Sequence, residues 1–267
     1  MSRAWAWPIL GTLAAIAVTS IMDATASSAF SALPLFPLLA IFAYLQKFSL
    51  KELGFTWGGR RAIQAYAMAI LYPIAVMGIL VAVAAAAGAM NPAAAPQHKH
   101  ATWLLVLTNV AITIPLALLT EEGFFRGWLW CSIARTKQTP IAIIVLTSLA
   151  FALWHWSSVI LPTGYNPPLA QVPVIMLNAA VIGAIWAMLR LLSGSLVVSS
   201  ISHGLWNGLA YVLFGFGSNV GTLGIANTAV FGPEIGFLGL ALNIAAAALL
   251  WRWGAREGLF DRRPFSG

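Results

Sequence analysis

The stretch TWLLVLTNVAITIPLALLTEEGFFRGWLW, residues 102–130, decides how this chain is read. Its first part is uncharged and apolar over a length that suits a bilayer-spanning helix, which needs ~20 such residues. Where that helix should stay apolar, it carries Glu121, Glu122 and Arg126 instead. Further along, His155 and His203 interrupt two apolar segments in the same way. Only 8% of the chain is charged, so five ionisable groups inside hydrocarbon-like runs need a reason. Each charge at the centre of a membrane helix costs ~2.5–3.5 kcal/mol on an insertion scale, so such residues usually face a polar interior and mark a functional site.

The rest of the chain has the same character. Hydrophobic residues make up 60% of it, 12 residues are Trp, and the mean hydropathy is +0.87. Apolar runs recur at 5–22, 30–46, 63–88, 103–122, 141–156, 174–192, 196–214 and 235–251 and leave no room for a soluble domain. The expectation is an all-α, polytopic integral membrane protein of about eight transmembrane helices with an intramembrane active site. Residues 1–267 form one transmembrane domain in this reading, with the motif-bearing core at about 103–214. The run at 5–22 is long for a signal peptide and is taken as the first span.

A net charge of +7 would suit a nucleic-acid partner, but the basic residues are placed as topology markers. Arg3, Lys47, Lys51, Arg60, Arg61, Arg135, Lys137, Arg190, Arg252, Arg256, Arg262 and Arg263 all fall on one side if both termini are cytoplasmic. The other side receives Lys99 alone, which orients the chain by the positive-inside rule. The expected setting is therefore the inner or plasma membrane, with the lipid bilayer as partner and no nucleic acid. Trp5, Trp7, Trp103, Trp251 and Trp253 lie at span ends, as interfacial anchors do. Cys131 is the one cysteine, which excludes an intramolecular disulfide and Cys-rich metal sites; it reads as packing.

Between spans, FSLKELGFTWGGRR (48–61) reads as an interfacial stretch with a short amphipathic helix. His98, Lys99 and His100 read as solvated loop residues rather than a metal site. Loops 157–173 and 215–234, uncharged except for Glu234, are long and apolar enough to cover an opening between helices.

Helical spacing divides the buried charges. Glu122 and Arg126 are four apart, on one face, and suit an ion pair. Glu121 is rotated by about 100° from Glu122 and has no partner in its own helix, which suits a general base or acid. If the spans turn near 136–139, Glu121 and His155 lie ~25 Å along the two arms of the hairpin, at similar depth. His203 and Asn207 form a further i, i+4 pair, with donors suited to an oxyanion or to an interhelical hydrogen bond.

Three motifs, Glu121-Glu122-Gly-Phe-Phe-Arg126, Phe151-Ala-Leu-Trp-His155 and His203-Gly-Leu-Trp-Asn207, occur in this order. In them the chain resembles the CAAX protease and bacteriocin-processing family of intramembrane endopeptidases (Abi, or type II CAAX prenyl endopeptidases). The resemblance covers roughly 103–214. It implies peptide-bond hydrolysis in a peptide or membrane-protein substrate by a water activated at Glu121 and His155, with His203 and Asn207 stabilising the oxyanion. Glu122, Arg126 and Phe151 would support the site. The family is described both as metalloprotease and as glutamate-dependent without metal. Glu121, His155 and His203 could accordingly hold Zn²⁺ or another divalent cation as two imidazoles and a carboxylate. Rival readings are a serine mechanism at Ser199, a proton-coupled transporter using the buried Glu and His, and a non-catalytic membrane scaffold.

Overall fold

The computed structural model describes residues 3–25, 27–91, 102–216 and 219–261. His98, Lys99, His100, Arg262, Arg263 and the side chain of Arg3 lie outside the described residues. The chain runs back and forth through long helices. These are α1 (Arg3–Ala24), α2 (Leu35–Leu45), the single turn α3 (Leu50–Leu53), α4 (Ala62–Ala86) and α5 (Thr102–Leu119). A π-helix (Glu122–Leu129) and α6 (Trp130–Ala134) continue α5. Then come α7 (Pro140–Trp154), α8 (Trp156–Ile160), α9 (Val172–Ser193), α10 (Leu196–Leu209) with a second π-helical turn (Ala210–Phe214), α11 (Thr228–Phe231) and α12 (Phe237–Arg256). Gly215–Phe216 and Asn219–Val220 pair as a minimal antiparallel ribbon.

Seven helical segments are long and apolar enough to cross a membrane, and the chain is a multi-pass membrane protein. The apolar run at 30–46 differs from the expected span. A 3₁₀ turn at Ser28–Phe30 and Pro34 delay the helix, so α2 has only 11 residues, or about 16 Å of rise. Large exposed apolar side chains such as Leu71, Leu104, Leu149 and Leu249 lie along the outward faces, where a soluble protein would place polar ones.

Inside, buried apolar residues from Ala15 to Leu259 form one connected cluster. Helix α10 packs against α4, α5 and α9. Gly204 and Gly208, four apart, make the contact with α5 close: a Cβ at either would overlap Ile114 or Val110. Small residues at this spacing are how membrane helices bring backbones together. They press the helix carrying His203 and Asn207 against the one leading into Glu121.

The end that carries the basic loops is tightly joined. Gly59 N donates to Ser193 O (2.8 Å) and Leu196 N to Gly54 O (2.8 Å). Arg190 donates to Glu52 O (3.1 Å) and Arg135 to Gln46 O (2.6 Å). The expected interfacial helix at 48–61 is the turn α3, started by a capping box in which Ser49 and Glu52 bond reciprocally. Cys131 is buried, as expected, and its thiol donates to Glu52 O.

Candidate active site

Glu121 follows α5 by two residues and caps the start of the π-helix Glu122–Leu129, where the backbone widens. Such widened turns recur at functional sites because they shift side chains off regular helical register. Gly123 permits it: a Cβ there would lie 2.7 Å from the Leu118 carbonyl oxygen.

The two glutamates part company as their spacing suggests. Glu122 and Arg126 are fully buried, and Arg126 Nη1 donates to Glu122 Oε1 at 3.1 Å. Arg126 Nη2 donates to Gly183 O on α9 (3.1 Å), and its guanidinium lies 4.2 Å from the centre of the Phe151 ring. Glu121 instead faces a cavity of about 450 Å³. His155, His203, Asn207 and Phe151 line the same cavity, so the expected site residues on α5, α7 and α10 converge.

Hydrogen bonds assign the imidazole tautomers. His203 Nδ1 is 3.1 Å from Glu122 Oε1, so it carries the proton and donates it to that carboxylate. Its Nε2 faces Glu121 Oε2 at 3.8 Å. Trp186 stacks flat on the ring, 4.0 Å away, and fixes its plane. His155 sits where α7 passes into α8. Its Nδ1 donates to Phe151 O at 2.9 Å, and the Phe151 and Trp154 rings meet it edge-on.

Glu121 lies 3.8 Å from His203, and it shares the cavity with His155, to which no hydrogen bond or ion pair joins it among the described residues. Nor do Glu121, His155 and His203 make a ligand set: among the described residues no group of three or more His, Cys, Asp or Glu is placed to hold a metal ion. We therefore derive no step through a metal. Ser199, the serine candidate, is fully buried and its hydroxyl donates to Leu196 O.

The cavity also holds acids that the motifs do not include. Asp23, at the end of α1, is buried and accepts a bond from Ser157 Oγ (2.7 Å). Glu234, in the loop between α11 and α12, accepts one from Trp206 Nε1 (3.1 Å), and burial pushes its carboxyl above the usual carboxylate range. Both sat in plain view as acids on the side of the protein where topology needs no charge. Ser28, Thr163 and Tyr165, from loops at that same end, complete the wall, so the cavity lies toward the face opposite the basic loops.

Helices long and apolar enough to cross a membrane thus gather around a cavity lined by carboxylates and imidazoles. Residues 100–209 match the Rce1-like family, described as type II CAAX prenyl endopeptidase Rce1-like. No relative among curated proteins matches the chain. The matched residues include all three motifs, so over this stretch the chain is similar to that family in the residues that first suggested it. Transport and scaffold readings account for buried charge but not for this match.

Proposed function

We propose that this protein is an intramembrane endopeptidase in which Glu121 and His203 activate the attacking water. The observation that carries the reading is the division of labour between adjacent glutamates. Glu122 is neutralised by Arg126, whereas Glu121 opens to the cavity with His203 Nε2 3.8 Å away. A water about 2.8 Å from each atom fits that gap and would give up its proton there while its oxygen attacks the scissile carbonyl. Once Nε2 holds a proton it becomes a donor, and Glu122 steadies the resulting imidazolium from the other side of the ring. Nε2–H and the Asn207 amide then stabilise the tetrahedral oxyanion. His155, its Nδ1 committed to Phe151, offers Nε2 to hold the water or the substrate. Arg126 and Phe151 keep Glu122, and through it His203, in place. The substrate class is a membrane-associated peptide, prenylated or leader-like. With the basic loops cytoplasmic, it reaches the site from the opposite face or from within the bilayer.

The test begins in cells carrying wild-type or Glu121→Ala protein, where comparative proteomics identifies a membrane precursor that accumulates in the variant. That precursor is then offered to purified protein in detergent. Glu121→Gln should lower its cleavage by about 100- to 10,000-fold, the range of a lost general base. Ser199→Ala should leave cleavage intact. Wild-type rates in Glu121→Gln, or loss only in Ser199→Ala, would overturn the assignment.

A further inference from the structure

One partly buried carboxyl in the cavity, that of Glu234, lies outside the proposed water-activating set, and several hydrogen bonds fix its loop. Asn178, fully buried on α9, donates to both Pro233 O (2.8 Å) and Glu234 O (2.9 Å). Its own side-chain oxygen accepts from Asn243 on α12 (2.8 Å), and Asn243 accepts from the Tyr72 hydroxyl on α4 (2.8 Å). Three helices thus contribute a relay of buried polar groups that ends on the backbone of Glu234. Buried polar side chains are costly unless satisfied, so a fully bonded relay specifies one arrangement of that loop.

The side chain is aimed as firmly as the backbone. Tyr72 stacks on Trp206 (5.5 Å between ring centres), and Trp206 Nε1 donates to the Glu234 carboxyl. Tyr211 reaches the same carboxyl. Trp206 precedes Asn207 and follows His203 by three residues on α10, so Glu234 is tied to the stretch that carries the proposed oxyanion donors. Glu121 and Glu234 line one cavity.

Peptide hydrolysis needs two proton movements. One proton leaves the attacking water; another must reach the departing nitrogen, because an amide anion is too basic to leave. We propose that Glu234 is a second catalytic carboxyl, which donates the proton to the leaving amine. The proposal rests on the endopeptidase reading above. Water attack forms the C–O bond and passes a proton to the Glu121–His203 pair. As the tetrahedral intermediate collapses, the C–N bond breaks and its electron pair takes the proton from Glu234. The proton held by the Glu121–His203 pair then returns to the Glu234 carboxylate, and no co-reactant is consumed. Because burial keeps the Glu234 carboxyl above the usual carboxylate range, it is biased towards the protonated form that a donor needs.

The test compares two leaving groups in one peptide: the precursor sequence with its scissile amide, and the same sequence with a thioester there. A thiolate departs without being protonated, having a conjugate pKa of about 8.5. Glu234→Gln keeps the size of the side chain and an acceptor for Trp206 but has no proton to give. It should slow amide cleavage about 100-fold or more while leaving thioester cleavage within about threefold of wild type. Retained thioester cleavage also shows that the variant is folded. Equal rates on the amide for Glu234→Gln and wild type would overturn the proposal, and so would an equal loss on both substrates. Glu121→Gln should lose both substrates; if it loses neither, the endopeptidase site itself has been misplaced, which is a different failure.

Discussion

The two ends of the helical bundle are built by opposite rules. At the basic end, backbone groups of separate segments bond directly to one another, and Arg135 and Arg190 spend their charge on carbonyl oxygens of neighbouring loops. At the other end, side chains converge on a cavity whose wall carries acids and imidazoles, with no Lys or Arg among the described residues that line it. Charge at the first end is satisfied locally and ties loops to helices. Charge at the second end is left facing open space, where it can act on something else. Between them lies the Glu122–Arg126 pair, which is buried like a structural element yet is linked through His203 to Glu121 in the cavity wall.

That pair is where the contrast is easiest to break. Arg126→Met removes the counter-charge and leaves a fully buried Glu122, a loss of the kind that costs about 3–5 kcal/mol. Thermal unfolding in detergent should show a large drop in midpoint. The double variant Arg126→Met with Glu122→Gln removes the stranded charge and should recover much of the stability. It should not recover cleavage, because His203 Nδ1 then lacks a carboxylate to steady its imidazolium. Recovery of both together would mean that the pair serves packing alone.

How much of this the sequence discloses depends on the kind of signal. Membrane helices are legible because apolar runs of their length have one stable fate, since in lipid only an internally bonded backbone is tolerated. The different surroundings of Glu121 and Glu122 were separable by helical rotation, although the π-helix that follows changes the register from which that rotation is counted. The short α2 was not legible: hydropathy sees the apolar run at 30–46, but Pro34 and the preceding turn decide where the helix starts. The partner of Glu121 was not legible either, because depth along a hairpin places His155 near it without fixing which imidazole turns towards it. For a different reason, Glu234 stood out in the sequence only as the one charge of an apolar loop. It lies outside any helical period, and only the relay from Tyr72 through Asn243 and Asn178 shows why its loop belongs to the site.

Two smaller substitutions sharpen the comparison from the basic end. Gly54 closes α3 with φ of +95°, and a Cβ there would lie 2.6 Å from the Arg190 guanidinium. Gly54→Ala should therefore cost about 1–2 kcal/mol in backbone strain and displace Arg190 from the Glu52 carbonyl. If this end is purely a fastening, the unfolding midpoint falls while the cleavage rate of the folded fraction is unchanged. A matching loss of rate would show that the two ends are coupled.

The capping box at the same loop gives the mildest effect and the one with a pH signature. The Ser49 backbone N–H, and after it the Ser49 hydroxyl, hold the Glu52 carboxyl below its ordinary value. A carboxyl lowered by folding stabilises the folded state above its unfolded value of 4.5, and that contribution fades as the pH falls through the lower folded value. The site is exposed, so Ser49→Ala should cost only about 0.5–1 kcal/mol at neutral pH. The difference between Ser49→Ala and wild type should shrink in acid, since protonation weakens the same box that the substitution removes. Melting both proteins across that range separates this local term from the cavity acids. Glu234 has the opposite sign: its carboxyl is raised by burial, so it costs stability as pH rises past 4.5. Glu234→Gln should flatten stability on the neutral side and Ser49→Ala on the acid side, which makes the two ends of the molecule distinguishable by titration alone.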